Sequence, residues 1–383
     1  MTLITDNEEL AAFCRRIAGS PAITVDTEFM RERTFWPKLC LVQVAGPDEA
    51  AAIDPLADLD LAPLFEILAD PATLKVFHAA RQDLEIFFQL MGKLPAPVFD
   101  TQVAAMVCGF GDQVGYETLV AKFAKVRLDK GSRFTDWSLR PLSRRQIEYA
   151  LSDVVHLRKV YERLHAKLEA TGREPWLLEE MAILTDPATY ALEPELAWKR
   201  LKIRGGNGRF LVVLKELAAW RERQAQARDV PRNRILRDEA LVEIAHHTPT
   251  ETEALARTRG LPRSFAESAA GAEVLAAVAR GLAVPESNLP KPEVKREVPK
   301  RVAATAELLK VLLKMKADEH DVAQRLVSSA ADVEVIAAFG EDAGVQALTG
   351  WRRQVFGDVA LAVREGRLAL ALKDGRLTLV TVG

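Results

Sequence analysis

AITVDTEFMRERTFWPKLCLVQVA, residues 22 to 45, decides how this chain folds. The first third reads as a β-strand of apolar and β-branched residues; a charged loop then leads into a second apolar strand. Asp26 and Glu28 stand in the first strand at i and i+2, so their side chains leave on one face. Two like charges side by side in a partly dry site repel each other and persist only with a compensating cation. The alternative is a strand end facing water. Ile23, Val25 and Phe29 around the pair favour burial, and with it the cation.

Working outward, KLCLVQVA (38–45), EAAAIDP (49–55) and LKVFHA (74–79) read as further strands. Short turns between the first three strands predict a meander of antiparallel neighbours. ARQDLEIFFQLMG sets Leu84, Phe87, Phe88 and Met91 at helical spacing. Asp100 is placed to cap a helix in DTQVAAMVCGF. Ser143, with Gln146 three residues on, makes a capping box at the head of a long amphipathic helix. Strands first with helices around them predict an α/β domain with a mixed sheet over residues 1–195. Residues 196–207 read as a connector and 208–283 as helices broken at DVPRN, HTPTE and GLPRS. Residues 284–301 carry Pro285, Pro290, Pro292 and Pro299 and read as a semi-rigid linker. Residues 302–383 read as helical again, ending in a β-hairpin about Asp374-Gly375.

Composition narrows the class. Of 383 residues, 49% are hydrophobic and 28% charged, which suits a globular protein. No stretch approaches the ~18 apolar residues that cross a bilayer, and the N-terminal residues do not resemble a signal peptide. The three cysteines, Cys14, Cys40 and Cys108, have apolar neighbours and no metal-ligand spacing, as reduced thiols of a cytoplasmic protein do. Net charge is −2, so any nucleic-acid surface has to be local. Between 201 and 240 there are ten Lys or Arg against five Asp or Glu. Either this is a solvated helix face, or it tracks phosphates without reading sequence.

Three acidic places follow one another. Asp83 lies early in a helix after a strand, where a lone acid is ordinarily a helix-dipole partner. Tyr149 and Asp153 are four apart and share a helix face, alone an ordinary surface pair. In this order with the strand pair, the stretches VDTEF, FHAARQDLEIF and YALSDVVHL resemble the ribonuclease D family, in the DEDD superfamily of 3′–5′ exonucleases. KGSRFTDWSLRPLS (130–143) is similar too, and the two helical regions downstream resemble HRDC domains. The resemblance covers essentially the whole chain.

It implies a ribonuclease-H-like sheet carrying two divalent ions, Mg²⁺ or Mn²⁺, followed by two HRDC-like helical domains. Asp26 would bridge both ions, and Glu28 would bind one and contact the terminal nucleotide. Asp83 would reach the second ion through water, Asp153 would complete the shell of the first, and Tyr149 would orient the attacking water. Tyrosine at that position implies the tyrosine branch of the superfamily. The implied activity is a monomeric 3′–5′ exoribonuclease that releases 5′-mononucleotides and trims tRNA precursors and other small structured RNAs.

The chemistry asks for the same residue types. Phosphodiester hydrolysis passes through an anionic in-line transition state that two metals stabilise from both sides. Mg²⁺ takes oxygen ligands, so carboxylates suffice. Tyrosine ordinarily titrates near pH ~10, which suits positioning better than proton abstraction.

His78 is either a hydrogen-bonded histidine at the sheet edge or a contact to a phosphate near the scissile bond. The resemblance to HRDC domains adds Arg204, Arg209, Arg228, Arg232 and Arg234 as candidates for holding RNA. His246 and His247 are adjacent on a helix, point ~100° apart and read as structural. Three rival readings remain: a 3′–5′ DNA exonuclease, an inert nucleic-acid-binding scaffold, and a structural protein that binds a partner through its HRDC-like helices without metal.

Overall fold

The computed structural model describes residues 2–128, 131, 135–203, 205–290 and 296–382. Arg204 and parts of the 130–143 and 284–301 stretches lie outside the described residues. The chain divides into two compact units. Met1–Glu28, Cys40–Thr189 and Arg296–Gly383 form one, and Phe29–Leu39 with Tyr190–Lys295 form the other.

The first unit opens with β1 (Thr2–Ile4) and α1 (Asn7–Ile17). Asp6 caps α1 by accepting from Glu9 N, and Leu10, Phe13, Cys14 and Ile17 bury one face of it. Then come β2 (Ala22–Met30), β3 (Lys38–Ala45), β4 (Ala50–Ile53), α2 (Ala62–Ala69), β5 (Leu74–Phe77) and α3 (Arg81–Met91). After them follow β6 (Val98–Asp100), α4 (Thr101–Val107), α5 (Tyr116–Phe123), α6 (Arg144–Thr171) and α7 (Glu174–Leu184). Ser143 and Gln146 cap α6 reciprocally, and Gly172 ends it in the left-handed conformation.

The six strands lie in the order β1-β4-β3-β2-β5-β6. β3 and β4 are antiparallel, while β1–β4, β2–β5 and β5–β6 are parallel. This is the expected mixed sheet with flanking helices. The β2–β5 register runs from Ala22↔Leu74 to Thr24↔Val76. Asp26 and Glu28 follow at the carboxyl ends of these parallel strands, where open α/β sheets place their ligands.

In the second unit, α8 (Gly208–Ala227), α9 (Arg232–Ile235), α10 (Asp238–His247), α11 (Thr252–Leu255), α12 (Arg263–Ala266) and α13 (Ala269–Ala283) surround a core that includes Val213, Leu217, Leu241 and Val274. Two stretches that look polar in the sequence enter this core. Ala197 and Leu201 come from the expected connector, and Phe35 from the charged loop after β2. The backbone amides of Phe35 and Trp36 both donate to Asp229 Oδ1 at 3.0 Å. Arg232 lies 4.5 Å over the Phe35 ring and pairs with the buried Glu222 at 2.5 Å.

The C-terminal region, which belongs to the first unit, contains α14 (Ala303–Glu319), α15 (Gln324–Val327), α16 (Ala330–Phe339) and a helix through Trp351 and Phe356 with an internal π turn. It closes in the expected hairpin, β7 (Leu368–Lys373) and β8 (Arg376–Thr381), with Asp374 and Gly375 both at positive φ. This region is fastened to α6 and α7. Trp176 stacks on Trp351 at 4.6 Å, Arg352 pairs with the buried Glu180 at 2.7 Å, and Lys167 pairs with Asp321 at 2.8 Å.

Candidate active site

β2 carries the first two acids. Thr24, two residues before Asp26 and on the same face, donates to the Val154 carbonyl of α6 at 2.8 Å. That bond holds α6 against β2 one residue from Asp153. From the other side Tyr116 donates its hydroxyl to the Ser152 carbonyl at 2.9 Å. Between these two struts, Asp26, Glu28 and Asp153 bring ligand oxygens within 4.8 Å of one another. All three are half-buried.

Asp83, in the first turn of α3, is buried and stands beside this group rather than in it. Its carboxylate accepts from the Thr27 hydroxyl. The turn that delivers α3 is fixed by the buried Asp100, which accepts from Ala79 N at 3.1 Å and Ala80 N at 2.8 Å. Ala79 is held at φ 58°, a left-handed conformation that a non-glycine residue adopts only when its surroundings impose it.

The four carboxyls share one electrostatic problem. Burial and then the Asp153 charge raise Asp26 well above the ordinary range. Burial, Asp26, Asp153 and Asp83 push Glu28 up to about 9. Burial and then Asp26 raise Asp83, and burial raises Asp153 to about 7. Without a cation this cluster holds protons at neutral pH; a cation displaces them. An all-carboxylate donor set with open sides fits hard divalent ions and gives no reason to expect a soft one.

Beside the cluster lies a cleft of about 400 Å³ lined by Asp26, His78, Gln102, Tyr116, Tyr149 and Asp153. Tyr149 enters it from α6, four residues before Asp153, with the buried Trp137 ring 6.1 Å away. Trp137 belongs to a segment anchored by Arg140, which pairs with the buried Asp54 at 2.6 Å. Tyr116 keeps its proton: burial, Asp153 and Asp26 all push its phenol far up. His78 Nδ1 lies 2.9 Å from Thr101 Oγ1.

The structure therefore brings Asp26, Glu28, Tyr149 and Asp153 together, with Asp83 adjoining and His78 in the cleft wall. It adds Thr24, Tyr116 and Asp100, which the sequence reading does not single out for the site. Strand alternation points to Thr24 from Asp26; nothing local points to Tyr116.

The basic candidates are dispersed in role. Arg209 donates to the carbonyls of Gly281, Leu282 and Val284 at the end of α13, and Arg232 is engaged with Glu222 and Phe35. Arg228 and Arg234 are exposed, and Arg204 lies outside the described residues. His246 stacks on Phe210 at 4.1 Å. Among the described residues, one further group gathers metal-capable atoms within 4.8 Å: His165, Glu169 and Glu174, on the outer surface where α6 gives way to α7.

Comparison with known proteins defines the class first. The family model described as 3'-5' exonuclease matches residues 1–169, and the HRDC domain model matches residues 210–278. The chain is 52% identical over its whole length to Ribonuclease D of Granulibacter bethesdensis, covering 97% of that protein. It is 52% identical over 96% of its length to Ribonuclease D of Gluconacetobacter diazotrophicus, covering 93% of that protein. The crystal structure of Escherichia coli RNase D, an exoribonuclease involved in structured RNA processing, superposes with a TM-score of 0.82 at 31% identity, over 94% of this chain and 98% of that one. This chain belongs to the ribonuclease D family and is a hydrolase of the 3′–5′ exoribonuclease class.

Proposed function

We propose that the protein removes 5′-mononucleotides one at a time from the 3′ ends of RNA by divalent-metal-dependent hydrolysis. Its substrates on this reading are tRNA precursors and other small structured RNAs with a short 3′ tail. The observation that carries the proposal is the convergence of Asp26, Glu28 and Asp153 beside Tyr149 in one cleft. Two ions, Mg²⁺ for preference and Mn²⁺ as an alternative, would be held by Asp26, Glu28 and Asp153, with Asp83 reaching the second. When bound, such ions neutralise the carboxylates and the charge that develops on the phosphate, and acidify water. Of these residues Asp26 would be the least replaceable ligand. Tyr149 donates from its hydroxyl to orient the attacking water, and Trp137 limits how its ring can move. Thr24 and Tyr116 keep Asp153 in register with β2.

Residues 1–195 hydrolyse, while the helical segments 208–283 and 302–383 hold the body of the RNA; Arg228 and Arg234 supply exposed charge for this. The three buried free cysteines suit a reducing, cytoplasmic setting, and we take the working form to be a monomer.

The test uses a 3′-tailed RNA labelled at its 5′ end, incubated with Mg²⁺, with EDTA, and with Asp26→Ala. The expected result is a ladder that shortens one nucleotide at a time and is lost in the latter two cases. Intact RNA under all three conditions, or faster digestion of a matched DNA, would overturn the reading.

A further inference from the structure

We propose that His78 reads the sugar of the nucleotide being removed: its Nε2 accepts a hydrogen bond from the 2′-hydroxyl of the 3′-terminal ribose. The inference rests on the reading of the cleft as the seat of the RNA 3′ end, and it names the group in that cleft that separates an RNA end from a DNA end.

Thr101, beside His78, is fully buried. Its one hydroxyl proton goes to the Phe77 carbonyl at 3.0 Å. The same oxygen lies 2.9 Å from His78 Nδ1. Having given away its proton, Thr101 Oγ1 accepts there, so Nδ1 carries the ring hydrogen. The neutral imidazole then has one free polar atom, Nε2, and that atom is an acceptor. Burial holds the imidazole below its ordinary range, with the Asp100 charge opposing, so the ring is neutral at pH 7. The ring stands in the cleft wall with Asp26, Tyr149 and Asp153, its centroid 5.5 Å from that of Tyr116.

This tautomer does not suit the phosphate contact that the sequence suggests, since a phosphate oxygen needs a donor. It suits a hydroxyl. The other polar groups of the wall narrow the choice. Asp26 and Asp153 belong to the cation cluster, and the Tyr116 hydroxyl is given to Ser152. Gln102 donates through Nε2 to the Val114 carbonyl at 3.3 Å, which leaves its Oε1 as one rival acceptor; Glu117 and Thr118 also line the cleft. An enzyme that removes every base in turn needs contacts to groups that every nucleotide carries. Of the two hydroxyls at an RNA 3′ end, the 3′-hydroxyl occurs in DNA as well, whereas the 2′-hydroxyl is unique to RNA.

The test measures first-cleavage kcat/KM on 5′-labelled oligoribonucleotides that differ only in the last sugar: ribose, 2′-deoxyribose or 2′-O-methylribose. Full-length wild type with Mg²⁺ is expected to favour ribose over deoxyribose by ~2- to 10-fold, as loss of one ordinary hydrogen bond gives. The 2′-O-methyl end, which has no proton to donate, is expected to lose the same preference. His78→Ala should bring the ribose-to-deoxyribose ratio towards one, chiefly by slowing the ribose end. Gln102→Ala should keep the ratio. Thr101→Val, which frees the ring to change tautomer, should weaken discrimination while leaving the His78 side chain in place; it serves as the second variant if His78→Ala unfolds. An unchanged ratio in both the His78 and Thr101 variants, a ratio lost in Gln102→Ala instead, or equal losses on both sugars would overturn the proposal. If wild type shortens none of the three substrates, the exonuclease reading fails; if it shortens all at one rate, the sugar reading alone fails.

Discussion

Replacing Glu28 by Gln should stabilise the metal-free protein at pH 8 and change it by less than ~1 kcal/mol at pH 5. Glu28 is half-buried, and its carboxyl is moved from 4.5 to about 9 by burial and by Asp26, Asp153 and Asp83. Asp153 is moved from 3.8 to about 7 by burial. Both folded values lie above the unfolded ones, so the folded chain binds more protons between these limits. The stability this contributes is complete below about pH 4 and is lost as pH rises through 7 and then 9. From 4.5 to pH 8, the Glu28 interval is worth at most ~5 kcal/mol at ~1.4 kcal/mol per tenfold step. Screening through the open side of the cleft reduces this to on the order of 3 kcal/mol. At ~2–4 °C per kcal/mol for a domain of this size, Glu28→Gln should melt roughly 6–12 °C above wild type at pH 8. The assay is differential scanning calorimetry in EDTA across pH 5 to 9, repeated with Mn²⁺, which should raise wild type far more than the variant. A difference equal at pH 5 and pH 8, or no gain at pH 8, would refute the claim that the carboxylates are held together against their own charge.

Other perturbations separate the parts of the molecule. Tyr149→Phe should lower kcat by ~10²-fold or more while Mn²⁺ affinity by calorimetry stays at the wild-type value, if the hydroxyl positions water as proposed and does not hold metal. Arg352→Met strands the Glu180 carboxylate in a buried site and should cost ~3–5 kcal/mol in urea unfolding, whereas the double change Glu180→Gln/Arg352→Met should recover most of that loss. Asp229→Ala removes the acceptor for the Phe35 and Trp36 amides and should destabilise the helical unit by ~1–3 kcal/mol; Asp229→Asn, which keeps the oxygen, should lose much less.

Local signals carried much of this architecture. The i, i+2 pair on β2, the i, i+4 pair on α6, the Ser143–Gln146 box and the Asp374-Gly375 turn are each set by neighbours within a few residues, so the sequence displays them. The short strand Val98–Asp100 and the helices α2 and α5 were not legible. Three residues are too few to display a period of two, and α5 is eight residues long. The less visible features are contacts across long chain separations. Phe35 sits among charges in MRERTFWPK and looks like a loop residue, yet it is 7% exposed, because Asp229 and Arg232, some two hundred residues on, complete its surroundings. Arg209 and Arg232 look like phosphate ligands in a basic run, and folding engages both with the protein itself. Tyr116 belongs to the site only because its hydroxyl finds the Ser152 carbonyl.

The most direct test of the central claim, that these carboxylates are a divalent-ion centre, is anomalous scattering from a crystal soaked in Mn²⁺. The account predicts two peaks ~4 Å apart at Asp26, Glu28 and Asp153, with the second towards Asp83, both lost in Asp26→Ala. A crystal with no peak at these residues, or with manganese only at His165, Glu169 and Glu174, would contradict it.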